Sequence, residues 1–237
     1  FRTSHELQKI ELIDLEKVKD LIDEKELNKF RNHGINLDDP HTFGTSQMDD
    51  VYFQNVEARN SYYDELPDIV NNYMKKINKI TGKDYKPFNY YGGKNAKHII
   101  IAMGSVCETI KETIDYLVKE EDLDVGLIEV HLYRPFSTKY LLDVLPDTVK
   151  NIAVLDRTKE FGANAPLYLD VLSVIKENDL NIRVFGGRYG LSSKDTTPAD
   201  IKSVYDMLDS KEKINGFTIS INDDVTNLSL PRSDFMI

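Results

Sequence analysis

One cysteine, five histidines and a set of arginines and lysines at segment ends are the residues of this 237-residue chain that could carry chemistry. Cys107 follows a short apolar run, Ile99-Ile100-Ile101-Ala102-Met103, and falls in the first turn of a helical pattern. A helix N-terminus lowers a thiol's pKa. A nucleophilic thiol also needs a histidine beside it, and no spacing places His98 or His131 there. The competing reading is a small buried side chain, the common state of a free cysteine. His5, in Arg2-Thr3-Ser4-His5-Glu6, is a candidate for a site completed elsewhere. The histidines show neither His-x-x-x-His nor His-Glu-x-x-His, so no metal spacing is present. A single thiol excludes an intrachain disulfide and cannot ligate an iron–sulfur cluster, which takes about four. It fits a reducing, cytoplasmic setting. Carboxylates are abundant, but no pair stands out as acid and base.

The other chemistry on offer is anion binding. In an open parallel sheet, ligands bind beyond the carboxyl ends of the strands, and four such ends carry suitable residues. Met103-Gly104-Ser105-Val106 follows the first apolar run, with a glycine for a sharp turn and amides open to an anion. The alternative there is a plain turn in which Ser105 caps the next helix with Glu108 as its capping-box partner. Tyr133-Arg134-Pro135-Phe136 leaves Arg134 at the rim while Phe136 fills the neighbouring core. Asp156-Arg157-Thr158-Lys159-Glu160 mixes both signs of charge, and Gly186-Gly187-Arg188-Tyr189-Gly190-Leu191 allows close backbone approach with a cation beside it, followed by Lys194. Gly104, Ser105, Arg134, Arg157, Lys159, Gly187, Arg188 and Lys194 are therefore candidates either for a phosphate-bearing ligand or for ion pairs with a neighbouring domain or subunit.

The elements that must position these residues come in two unlike stretches. Residues 6–31 carry Leu7, Ile10, Leu15, Val18, Leu21, Ile22, Leu27 and Phe30 at helical spacings, with Asp14 and Asp23 as caps. Periodicity disappears between 32 and 60, where Gly34, Pro40 and Gly44 punctuate a polar loop of a length that is either functional or a strap over another surface. Tyr62–Thr81 is again helical, with Pro67 in its first turn and Gly82 at its end. After Tyr91-Gly92-Gly93 strands alternate with helices. Strands are expected at His98–Met103, Val125–Leu132, Asn151–Leu155 and Asn181–Phe185, with an edge strand at Phe217–Ile221. Helices are expected at 106–120, 137–145, 164–178 and 198–209. The expected fold is α/β: an open, mainly parallel sheet over residues 93–237 with helices on both faces, preceded over 1–92 by a helical arm and long loop.

Composition agrees with a globular chain: 41% hydrophobic, 30% charged, net charge −10. No apolar run approaches the roughly 18 residues of a membrane span. No basic stripe suggests nucleic acid, and an anionic ligand requires a local exception to the overall charge. The chain opens at Phe1 without a methionine and is expected to be a piece of something longer.

Taken together, Gly104-Ser-Val-Cys-Glu-Thr-Ile110, Leu132-Tyr-Arg-Pro-Phe136, Ile152-Ala-Val-Leu-Asp-Arg-Thr-Lys-Glu160, Gly186-Gly-Arg-Tyr-Gly-Leu191 and Asp223-Asp-Val-Thr-Asn227 resemble pyruvate:ferredoxin (flavodoxin) oxidoreductase. Phe1-Arg-Thr-Ser-His-Glu6 and Phe88-Asn-Tyr-Tyr-Gly92 do so too, in the right order along the chain. The resemblance implies a parent enzyme, a pyruvate synthase, that converts pyruvate, coenzyme A and an oxidised carrier to acetyl-CoA, CO2 and reduced ferredoxin or flavodoxin. It implies thiamine diphosphate, Mg2+ and iron–sulfur clusters in that parent, and a homodimer. It also implies that this stretch is the end of a first domain plus a second domain similar to the C-terminal domain of transketolases, a packing and dimerisation module. The family's thiamine-contacting residues, its pyruvate-binding arginine and its cluster cysteines match no position here. The segment is then expected to bind no cofactor with its own ligands, to touch other domains of its own polypeptide, and to act in assembly. The alternative is an auxiliary module whose rim cations hold coenzyme A.

Overall fold

A computed structural model describes residue 10 and residues 12–42 and 44–232; His5, Leu7 and the Phe1–Glu6 motif lie outside the described residues. The chain divides into two compact units, Phe1–Tyr85 and Lys86–Ile237.

In the first unit, α1 (Leu15–Lys19) and α2 (Glu24–Asn32) start where aspartates supply the missing acceptors. Asp14 accepts from the Glu16 amide at 3.2 Å, and Asp23 from Lys25 and Glu26 at 3.0 and 3.2 Å. The stretch expected to be loop contains a short helix, α3 (Tyr52–Glu57). It begins without a side-chain cap, and Tyr52, Phe53, Asn55 and Val56 have modest helix propensity, so it leaves little mark on the sequence. Helix α4 (Asn60–Thr81) begins two residues earlier than its pattern suggests, and Pro67, its eighth residue, lies inside the helix and not in its first turn. Gly82 closes it at φ +71°, its amide bonded to the Asn78 carbonyl at 2.8 Å. The Asn78 side chain then fastens Tyr85 by two backbone bonds of 2.8 Å. None of α1, α2 or α3 buries a residue.

The second unit is a six-stranded sheet in the order β1-β3-β2-β4-β5-β6, comprising β1 (Phe88–Gly92), β2 (His98–Ala102), β3 (Val125–Val130), β4 (Asn151–Asp156), β5 (Arg183–Arg188) and β6 (Phe217–Thr218). Only β1 runs antiparallel, with Phe88 opposite Val130. Helices α5 (Val106–Glu121), α6 (Thr138–Leu142), α7 (Pro166–Glu177) and α8 (Pro198–Asp209) connect the strands. The apolar runs are continuous because both faces of the sheet are buried. Ile100 and Ala102 of β2, with Ala153 and Leu155 of β4, pack in one core with Ile110 and Ile114 of α5 and Val204 and Leu208 of α8. Ile99, Ile101, Ile152 and Val154 point the other way, toward Leu167, Val171 and Ile175 of α7.

Two strand boundaries differ from expectation. Phe88–Gly92, grouped with the arm on its sequence, is a strand of the sheet, so the compact unit starts at Lys86. Gly126 of β3 leaves room for the Tyr90 ring, and an added Cβ there would meet the ring within 2.3–2.8 Å. Strand β5 starts two residues later than expected and runs through Gly186-Gly187-Arg188, which the sequence pattern places beyond the strand. Glycine weakens a strand unless something packs in its place. Here the Phe217 ring covers Gly187, 2.2 Å from where a Cβ would sit, and Tyr168 covers Gly186 at 3.1 Å. Helix α6 is shorter than 137–145, and β6 shorter than Phe217–Ile221.

Candidate functional site

The carboxyl ends of β2, β3, β4 and β5 lie along one edge of the second unit, and strand order reverses between β2 and β4. That reversal is where an open α/β sheet usually opens a ligand crevice. Here its side chains are turned onto one another. Gly104 makes the sharp turn after β2 at φ +78°. Ser105 sits at the start of α5 but makes no cap bond, and Glu108 pairs with Lys111 at 3.0 Å instead of forming a capping box. Lys111 also pairs at 3.0 Å with Glu129, a buried carboxylate on β3. Lys111 is thus shared between two carboxylates. Cys107 is 2% exposed, and burial pushes its thiol up to about 12, against the helix dipole. It is a core side chain and not a nucleophile.

Four of the five candidate rim cations have partners too. Arg134 stacks 3.9 Å over the Tyr133 ring and places Nη1 2.8 Å from the Asp170 carboxylate of α7. Arg157 donates from Nε to the Gly190 carbonyl at 2.8 Å and reaches the Ser193 hydroxyl at 3.4 Å. Lys159 donates to the carbonyl of its neighbour Glu160 at 3.3 Å. Arg188 donates from Nη2 to the Gly216 carbonyl at 3.0 Å. Asp156, grouped on its sequence with the mixed-charge loop, is the buried last residue of β4. It accepts from the Leu167 and Tyr168 amides at 3.2 and 3.1 Å, starting α7 in place of a local cap, and burial raises its pKa despite those bonds.

Two of the eight candidates share a cavity. Arg188 and Lys194 line a hollow of about 280 Å3 with Gly190, Thr218, Ser220 and Asp223. Gly104, Ser105, Arg134, Arg157, Lys159 and Gly187 do not line it. Sequence reasoning passed over Thr218 and Ser220, whose hydroxyls carry no signature. Their alternation with Phe217 and Ile219 could still have placed them together on the face away from the core.

Residues 96–201 match the family model for pyruvate:ferredoxin oxidoreductase core domain II, and residues 1–75 that for the thiamine-diphosphate-binding domain of pyruvate flavodoxin/ferredoxin oxidoreductases. The chain is 51% identical over 235 residues to a pyruvate-flavodoxin oxidoreductase of Enterobacter agglomerans, covering 99% of this chain and 20% of that protein. It is 48% identical over 231 residues to a pyruvate:ferredoxin oxidoreductase of Moorella thermoacetica, again covering 20% of it. An NADP(+) pyruvate dehydrogenase of Cryptosporidium parvum is 44% identical over 244 residues, and 13% of it is covered. The chain thus spans a fifth or less of the length of these relatives. Among solved structures, a 2-oxoglutarate:ferredoxin oxidoreductase from Magnetococcus marinus matches 55% of this chain and 21% of its own, with TM-score 0.35 and 20% identity.

Among the described residues no group of three His, Cys, Asp or Glu side chains could hold a metal ion. The single thiol, buried and protonated, is no cluster ligand.

Proposed function

This chain belongs to the pyruvate flavodoxin/ferredoxin oxidoreductases, of which it supplies about a fifth of the length, and from that membership we propose that it is a structural and assembly segment of such an enzyme. The parent reaction is the oxidative decarboxylation of pyruvate to acetyl-CoA with reduction of ferredoxin or flavodoxin, in the cytoplasm, by a homodimer. Thiamine diphosphate supplies the carbanion-stabilising chemistry when bound; this chain's residues pack, orient and exclude water, and perform no step of their own. The partners we assign are the other domains of the same polypeptide and, through dimerisation, a second copy.

The carrying observation is the first unit's surface. Leu12, Phe30, Ile35 and Leu37 are 78–96% exposed, although burying one such side chain is worth roughly 1.5–3 kcal/mol. A run of large apolar side chains left outside any core marks a docking strap. The strand-end cations are engaged within the second unit: Arg134 pairs with Asp170 of α7, and Arg157 and Arg188 donate to the Gly190 and Gly216 carbonyls.

The test is an assay of the 237-residue chain alone, supplied with pyruvate, coenzyme A, thiamine diphosphate, Mg2+ and an artificial electron acceptor. A folded chain, checked by circular dichroism, is expected to show no pyruvate-dependent reduction. Turnover by the isolated chain would overturn the assignment.

A further inference from the structure

Helix α4 carries an apolar stripe that this chain leaves uncovered. Tyr62, Leu66, Ile69, Tyr73 and Ile80 recur at the spacings of a coiled-coil seam, with Lys76 as its one polar member. At about 3.6 residues per turn, Pro67, Asn71 and Asn78 fall on the opposite side. That opposite side is the covered one. Pro67 and Asn71 are the buried residues of the helix, and the Asn78 side chain bonds the Tyr85 backbone. Tyr62, Ile69 and Tyr73 are instead 74, 45 and 37% exposed. An amphipathic helix ordinarily turns its apolar side inward. Helix α4 is presented the other way round, over a length of about 33 Å.

The stripe and its charges match a second copy of themselves. In heptad terms Leu66, Tyr73 and Ile80 take a positions, and Tyr62, Ile69 and Lys76 take d positions. Two such helices, set antiparallel about a two-fold axis at the level of Asn71, bring each a residue against a d residue. Tyr62 then faces Ile80 of the second copy, Ile69 faces Tyr73, and Leu66 receives the apolar stem of Lys76. The acidic residues of α4, Asp64, Glu65 and Asp68, all precede Asn71, and its lysines, Lys75, Lys76 and Lys79, all follow it. An antiparallel pair therefore sets each acidic half against a basic half, whereas a parallel pair would set like against like. Beside the seam, Glu65 meets Lys79 of the second copy, and the two-fold axis repeats that contact at the other end.

We propose that α4 pairs antiparallel with the α4 of a second copy of this chain, which gives the assembly role argued above, on which this inference rests, a defined surface. A pair of single helices covers less than the roughly 800 Å2 per partner of a stable interface. The chain alone is therefore expected to dimerise weakly, in the micromolar-to-millimolar range.

Sedimentation equilibrium of the 237-residue chain, with folding checked by circular dichroism, tests the pairing. Glu65→Lys and Lys79→Glu are each expected to weaken dimerisation about fivefold, because an attractive contact present twice becomes repulsive. Combining them should restore the original constant. The two residues lie about 21 Å apart along one helix, so only a second copy can couple them. Ile69→Asp should leave a folded monomer. A chain that stays monomeric at millimolar concentration, or a dimer indifferent to the charge exchange, overturns the pairing. The second result would leave the assembly role standing on another surface, and the first would leave it on contacts with other domains. Only pyruvate-dependent turnover by the isolated chain, measured separately, would remove the role itself.

Discussion

Gly187 shows how a residue can be conspicuous for one reason and matter for another. Gly-Gly-Arg-Tyr-Gly suggested close approach of a ligand to the backbone, yet Phe217 lies across Gly187 from the neighbouring strand. Gly187→Ala is expected to force that ring aside and destabilise the fold by about 1–3 kcal/mol, read as a lowered denaturation midpoint. His98 carries a second prediction. Its Nδ1 accepts from the Asn151 amide at 3.0 Å, which leaves Nε2–H to donate to Asp209 at 3.3 Å and fixes the neutral ring. Burial depresses its pKa below the ordinary 6.5, and Asp209 only partly opposes this. The unfolded chain therefore takes up the proton first as pH falls below 6.5, and stability is lost until the folded ring titrates as well. Denaturation midpoints should fall across that interval and fall less in His98→Gln; equal slopes would exclude His98 as the source.

At the scale of elements, the continuous apolar runs and the amphipathic helices between them made α5, α7, α8 and the central strands legible, because burial on both faces leaves an unambiguous pattern. Helix α3 and strand β1 were not legible. The first lacks a cap, and the second depends on Tyr90 packing over Gly126, a contact between residues distant in sequence. The start of α7 has the same character. Ala165 offers no cap, and the acceptor comes from Asp156 at the end of β4. Asp156→Ala removes both bonds from buried amides and should cost about 1–3 kcal/mol. For a chain of this size that lowers the melting temperature by about 2–4 °C per kcal/mol. Asp156→Asn retains one acceptor and should cost less. The candidate site was half legible: Arg188 and Lys194 stood out as cations at a strand end, whereas Thr218 and Ser220, which line the same hollow, carry no signature in the sequence.

For the whole molecule, the two units divide the work. Lys86–Ile237 has a core on each face of its sheet and closes its own charged rim. The preceding helices expose large apolar side chains, which the proposed assembly would cover. Under the proposed function, that assembly is an enzyme of the matched family and its chemistry is carried by other parts of the polypeptide. The most direct measurement is made in a complete enzyme of this family carrying this segment, with Ile35→Asp and Leu37→Asp introduced together. Light scattering should show loss of the native oligomeric mass, and hydrogen exchange should show faster exchange across residues 24–57. Native mass with unchanged protection of those residues would contradict an assembly role for this chain.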